Sequence, residues 1–281
     1  MAKGKKKSSA NTISEQRSML CTNLNFAAAE AYKLLRTNLM FSLPDQKCRV
    51  IGVTSAVRSE GKSTTSVNLC YTLAETGKRV LLIEADMRLP NVAKRLKLNP
   101  TPGLSNLLVG LSTGNSVLQD SGIFANWKVV TAGEIPPNPS ELLGSDQMRI
   151  TIDTFSKGFD FIVIDLPPVN IVADGLVVSK LTDGIIMVVR KDYSFKHSVQ
   201  EVVNQFKLSE AKLLGFVLTH VDTPGKSYSK YGKYGRYGRY GRYGKYGKDG
   251  AGYGYGYGYY GNANTGEKKE MSKEASGSSG D

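Results

Sequence analysis

The chain has no long hydrophobic run. Its longest apolar stretch, Ile185-Ile186-Met187-Val188-Val189, is far below the roughly 18 residues that a membrane-spanning helix needs. Histidine and cysteine are scarce, at two and three residues. Cys21, Cys48 and Cys70 are odd in number and lack metal-ligand spacing, so they read as reduced thiols of a cytoplasmic protein. His197 and His220 stand alone and read as incidental side chains without partners. Lys3, Lys5, Lys6 and Lys7 open the chain, but no apolar segment follows them as it would in a secretory signal.

What is present falls into three parts. Residues 1–24 are polar and Lys/Ser-rich and read as a basic disordered arm; 25–224 read as one folded domain; 225–281 read as a disordered Tyr/Gly/Lys/Arg-rich tail. A hydrophobic content of 40% supplies a sizeable core for the middle part. The formal net charge of +12 is concentrated in the first seven positions and between Lys226 and Lys248, so it belongs to the ends rather than the domain. Nucleic acid, anionic lipid and polyphosphate all suit such charge.

Within the domain, Phe26, Ala29, Tyr32, Leu35, Leu39 and Met40 recur at helical spacing and predict an amphipathic helix over 26–41. Short apolar runs without polar alternation predict strands at 50–53, 80–83, 127–130, 161–164, 185–189 and 213–218. Helical stretches are expected from the first strand's loop to about Thr76, and over 140–156, 170–181 and 196–208. Strands of this kind separated by helices indicate an α/β fold with a doubly wound, mostly parallel sheet covered on both faces.

The first strand leads into Ala56-Val57-Arg58-Ser59-Glu60-Gly61-Lys62-Ser63-Thr64. This matches the phosphate-binding loop G-x-x-x-x-G-K-[ST], with Ala for the first Gly. Successive backbone N–H groups must curl round the phosphates at a helix N-terminus, which assigns Ser59 to Thr64 to the nucleotide. Gly61 permits close approach, Lys62 reaches the β- and γ-phosphates, and Ser63 ligates Mg²⁺. Two other strands end in acids, Glu84-Ala85-Asp86-Met87-Arg88 and Asp165-Leu166-Pro167-Pro168. Strand C-termini converge on the ligand crevice in a doubly wound sheet, where carboxylates hold a metal or polarise a hydroxyl.

Together with Ala132-Gly133-Glu134-Ile135-Pro136-Pro137-Asn138-Pro139-Ser140-Glu141-Leu142-Leu143 and the tyrosine-rich tail, these motifs resemble the bacterial tyrosine kinases of capsule and exopolysaccharide operons, in their split, Gram-positive form. The resemblance covers roughly 26–262. It implies a P-loop fold, ATP and Mg²⁺ as cofactors, and transfer of phosphate to tyrosine. It implies Lys62 on phosphate, with Ser63, Asp86 and Asp165 around the metal. Glu84 falls where the family has an aspartate proposed to deprotonate the incoming tyrosine, and Asp86 is the alternative base. Arg58-Ser59 stand where members often have Pro-Gly, so Ser59 must adopt the backbone angles of that glycine. Glu30, Lys33 and Arg36 resemble the family's oligomerisation pattern, with Lys33 replacing an arginine and its bidentate fork.

Twelve of the 15 tyrosines lie in the tail. Tyr228, Tyr231, Tyr234, Tyr237, Tyr240, Tyr243 and Tyr246 recur every third residue; Tyr253, Tyr255, Tyr257 and Tyr259 every second; Tyr260 closes the run. By itself this pattern suits a kinase substrate, a nucleic-acid contact by stacking and charge, or inert low-complexity sequence. The resemblance favours an autophosphorylation cluster modified in trans within a ring-like homo-oligomer. It also implies a transmembrane polysaccharide chain-length adaptor, recruitment to the inner face of the membrane and a cognate tyrosine phosphatase, with nucleic acid the disfavoured partner. Two other readings are a partitioning or division-site ATPase and a non-catalytic scaffold with a nucleic-acid-binding tail. The first carries a lysine early in its phosphate loop, where this chain has Val57.

Overall fold

The computed structural model describes residues 23–43 and 45–221, all within the first of two units, Met1–Gly225. The tail with its candidate phosphoacceptors, the arm up to residue 22 and Cys21 lie outside the described residues.

A single seven-stranded sheet organises the domain: β1 (Arg49–Ser55), β2 (Val80–Glu84), β3 (Gln119–Asp120), β4 (Trp127–Val130), β5 (Phe161–Asp165), β6 (Gly184–Arg190) and β7 (Leu213–Thr219). Their order is β3-β4-β2-β5-β1-β6-β7. All neighbours are parallel except β3, which runs antiparallel to β4. The six expected strands are present with slightly different ends. The two-residue β3 was not expected, because a strand that short carries no periodic signal.

The helices are α1 (Phe26–Ser42), α2 (Lys62–Glu75), α3 (Val92–Leu96), α4 (Leu104–Leu108), α5 (Gly114–Val117), α6 (Pro139–Leu143), α7 (Asp146–Ser156), α8 (Asp174–Ser179) and α9 (Lys196–Leu208). The helix expected over 140–156 is broken in two. Gly144 ends α6, and the Ser145 side chain accepts from Met148 N to start α7. The expected 170–181 helix shortens to α8, and α3, α4 and α5 were too short to be read from spacing.

The strands look uniformly apolar because both faces are buried. Along β5, Phe161 and Val163 face one core with Leu69 and Leu73 of α2, while Ile162 and Ile164 face the other with Ile152 and Phe155 of α7. Each fully buried aliphatic side chain contributes about 1.5–3 kcal/mol. On α1 the amphipathic expectation holds only toward its C-terminal end. Leu39 is buried against the α2 side of the sheet, whereas Phe26 is 77% and Phe41 85% exposed.

Burial, assisted by the nearby acidic groups Asp183 and Asp160, pushes the Cys48 thiol up to about 11. Cys70 is fully buried, and the same first cause holds its thiol well above the ordinary cysteine value.

The segment 131–133 is clamped to the start of α4. Leu104 N donates to Thr131 O at 2.7 Å and Ser105 N to Ala132 O at 2.9 Å. A Cβ at Gly103 would lie 2.3 Å from both Gly133 N and Thr131 O. These are backbone atoms in a hydrogen-bonded clamp and cannot swing aside. Gly103→Ala is therefore expected to cost at least about 2 kcal/mol, read as a lowered urea midpoint with unchanged slope.

Candidate functional site

The site forms where β1, β5 and β2 end side by side. Registers pair Val53 with Asp165 and Glu84 with Asp165, so three adjacent strand ends deliver their following residues to one edge of the sheet. From β1 the chain turns through Ser59 (φ 63°) and Gly61 (φ 100°) and enters α2 at Lys62. Ser59 does adopt left-handed backbone angles, which cost a side-chain-bearing residue about 1–2 kcal/mol.

Lys62 is the hub. Its ammonium donates to Asp86 Oδ2 at 2.7 Å, lies 3.9 Å from Asp165 Oδ2 and 3.4 Å from Ser63 Oγ. Burial alone would lower its pKa; the charges of Asp165 and Asp86 outweigh that and hold it above the ordinary lysine value. The second oxygen of Asp86 accepts from Leu89 N at 3.1 Å. Asp165 accepts from Ser66 Oγ at 3.0 Å through Oδ1, while its buried Oδ2 has no hydrogen-bond partner.

An open cleft of about 240 Å³ is lined by Lys62, Ser63 and Asp86, while Asp165 is fully buried and outside its lining. Arg58, Lys62, Arg88 and Arg95 line it with positive charge against the single carboxylate of Asp86, and Pro167 and Pro168 form part of the wall. That balance suits a polyphosphate. Ser63 Oγ, Asp86 and the unpartnered Asp165 Oδ2 fit a hard divalent cation, which binds through few protein oxygens and completes its shell from phosphates and water. Among the described residues no cluster of three or more His, Cys, Asp or Glu side chains forms a dedicated metal cage.

Several expected site residues are placed differently. Glu84 is buried and does not line the cleft. Its Oε1 accepts from Asn91 N and, at 2.6 Å, from Val92 N, while Oε2 accepts from Ala132 N at 3.3 Å. Both oxygens are thus committed to backbone, which corrects the expectation that Glu84 is the base. The Glu60 side chain is also fully buried, with Oε2 accepting from Val57 N at 2.8 Å and Oε1 from the Ser194 hydroxyl. Its expected part in the phosphate loop is that of its backbone N–H, which this side-chain burial leaves untouched. Thr64 bonds Arg95 Nη1 at 3.1 Å.

On α1, Lys33 and Glu30 pair with each other at 2.9 Å. Arg36 instead donates to Thr72 O at 2.6 Å and lies 3.6 Å from Glu75, which ties α1 to α2 within the chain. His197 is not without a partner, since its Nδ1 lies 3.5 Å from Glu201.

Arg88 and Arg95 carry roles that motif spacing did not reveal. Arg88 Nε donates to Asp174 Oδ2 at 3.1 Å and its Nη2 to Ser140 Oγ at 3.1 Å. Asp174 is fully buried and also accepts from Ser140 Oγ. This gives the unusual 132–143 segment a physical purpose, because Ser140 helps hold the cleft arginine. Arg88 follows Asp86 by two residues in the acidic motif, a signal that could have found it. Arg95 had no such signal.

Residues 48–214 match the family described as AAA domain. The tyrosine-protein kinase YwqD of Bacillus subtilis (strain 168) is 35% identical over 202 residues, which cover 72% of this chain and 83% of that protein. The crystal structure of the chimerical protein CapA2B2 superposes with a TM-score of 0.66 at 36% identity, covering 69% of this chain and 85% of that one. The kinase domain of the Escherichia coli tyrosine kinase ETK gives 0.67 at 29% identity, covering 70% and 77%.

Removing the Glu84 carboxylate strands three backbone N–H groups. Glu84→Ala is expected to cost about 3 kcal/mol in a denaturant melt. Burial, partly offset by these hydrogen bonds, holds the carboxyl above the ordinary glutamate value. The native state therefore takes up this proton before the unfolded chain does, and the wild-type margin over Glu84→Ala widens as pH falls from neutral toward the ordinary glutamate range.

Proposed function

The chain belongs to the bacterial tyrosine-protein kinase family, and from that premise we propose that it transfers the γ-phosphoryl group of ATP to tyrosines of its own 228–260 segment. The observation that carries this reading is the convergence of Lys62, Asp86, Asp165 and Ser63 at one edge of an arginine-lined cleft.

Asp86 is the base. Tyrosine has an unperturbed pKa near 10, so its proton must leave as the phenolic oxygen attacks. Once nucleotide binding has drawn the Lys62 ammonium from Asp86 Oδ2 onto the phosphates, that oxygen accepts the proton; the γ-phosphoryl group passes to the phenolic oxygen, and ADP departs with the electrons of the broken bond. Lys62 follows the β- and γ-phosphates, while Arg58, Arg88 and Arg95 counter the charge of the polyphosphate. Ser63, Asp86 and Asp165 would hold Mg²⁺, which would neutralise phosphate oxygens. Transfer occurs in trans within a homo-oligomer. Glu30 and Lys33 belong to its contact, and Arg36 supports it indirectly by seating α1 on α2.

Each phosphate adds about −1.5 to −2 charges near pH 7. A few therefore cancel the basic balance of residues 226–248 and alter what the tail attracts. No described helix is long and apolar enough to cross a membrane. We assign membrane recruitment to a transmembrane adaptor, reversal to a tyrosine phosphatase, and the physiological role to control of capsular or exopolysaccharide assembly.

The decisive measurement is mass spectrometry of tail peptides after incubation with Mg-ATP, with and without the adaptor's cytoplasmic segment. Phosphotyrosine between Tyr228 and Tyr260 that vanishes in Lys62→Met is the expected outcome. Intact ATP binding without phosphotyrosine under either condition would sink the proposal. In the same assay Asp86→Asn should lower kcat by about 10²–10⁴-fold, whereas Glu84→Gln, at matched folded fraction, should stay within about tenfold of the wild type because its role is structural.

A further inference from the structure

We propose that Arg190, Ser194 and Thr219 form a clasp that holds residues 59–61 of the phosphate loop in their anion-binding shape, making up for the serine at a position that favours glycine. The proposal rests on the nucleotide-binding reading of this loop.

Two left-handed residues, Ser59 and Gly61, flank Glu60. The Ser59 carbonyl accepts from Arg190 Nη1 at 3.1 Å, and the next carbonyl, Glu60 O, accepts from Thr219 Oγ1 at 2.7 Å. A trans peptide points its N–H opposite to its C=O. Holding these two carbonyls therefore fixes the N–H groups of Glu60 and Gly61 in the opposite direction. Ser59 and Gly61 line the cleft, while Arg190, Ser194 and Thr219 do not. The clasp thus grips the loop from outside the cleft and would present its donors inward.

A side-chain lock completes the arrangement. The Ser194 hydroxyl donates to Glu60 Oε1 and its oxygen accepts from Arg190 N at 2.8 Å. Glu60 Oε2 accepts from Val57 N at 2.8 Å and closes the loop on itself. Lys191 N donates to Thr219 O at 3.1 Å, joining the ends of β6 and β7. The Arg190 guanidinium lies 4.8 Å over the Tyr193 ring, which limits its freedom. A Cβ on Gly61 would come within 3.3 Å of the Thr219 side chain, so Thr219 also packs directly beneath the second left-handed residue. None of the three is a catalytic residue; they are positioning residues acting through the loop.

The test is the affinity of the full-length protein for a fluorescently labelled ADP with Mg²⁺, which needs no kinase turnover. Thr219→Val keeps the shape and removes the donor; Ser194→Ala opens the side-chain lock. Each should weaken binding about tenfold. Adding Ser59→Gly should restore the affinity of Thr219→Val to within about twofold of Ser59→Gly alone, because glycine adopts the left-handed angles without the clasp. Thermal denaturation of every variant reports folding, and Arg190→Gln provides a third variant should Thr219→Val fold poorly. Wild-type affinity in folded clasp variants would overturn the clasp alone, as would a loss that Ser59→Gly does not repair. Failure of the wild-type protein to bind would overturn the nucleotide reading, and the clasp's purpose with it.

Discussion

Lys62 stands between Asp86 and Asp165, and the arrangement of the sheet edge depends on that cluster. One ammonium and two carboxylates are nearly withdrawn from water, which would be prohibitive for any of them alone. They are tolerable together only if the loop after β1 and the ends of β2 and β5 arrive at the same place. The order β2-β5-β1 makes those ends neighbours. A slip of one residue in either pairing would send the acids to the opposite face. The cluster is electrostatically uneven, with two negative charges around one positive. Asp165 Oδ2, which accepts no hydrogen bond and lies 3.9 Å from the Lys62 ammonium, is where a further cation gains most.

The acidic motif then divides its labour by side-chain length and direction. Glu84 and Asp86 are two residues apart, yet Glu84 reaches the amides of Asn91, Val92 and Ala132 while Asp86 meets Lys62. The structure thus ties β2 to α3 and to the end of β4 through Glu84, leaving Asp86 facing the cleft. Arg88 continues the division by pairing with the buried Asp174. The motif is a row of anchors of which only some touch the cleft.

This explains which features could be read from the sequence. The strands were legible because helices cover both faces, so each strand had to be apolar throughout. The phosphate loop was legible because its chemistry fixes spacing, and Ser59 was recognisable as a residue under backbone constraint. Glu84 misled because its partners are backbone amides 7, 8 and 48 positions away, and amides carry no residue-type signal. The partners of Arg36 within the chain, the carbonyl of Thr72 and the carboxylate of Glu75, were likewise not readable from spacing. The clasp was invisible because Arg190, Ser194 and Thr219 are ordinary surface-type residues. Only the β6–β7 pairing brings them under a loop more than a hundred positions earlier.

The same charge distribution bears on how a basic substrate reaches a basic cleft. Arg58, Arg88 and Arg95 face the cleft, and the tyrosines between 228 and 246 are interleaved with Lys and Arg. On the proposed reading, like charges oppose entry of such a segment into the cleft of a neighbouring chain until something negative intervenes. A polyphosphate bound along the arginines reverses the local sign and turns repulsion into attraction. The nucleotide would then be the condition for acceptor binding as well as the phosphate donor. Each transferred phosphate makes the segment less basic, weakening its attraction to the nucleotide-loaded site. Modification would therefore become self-limiting through the electrostatics of donor and acceptor, without a separate inhibitory element in the fold.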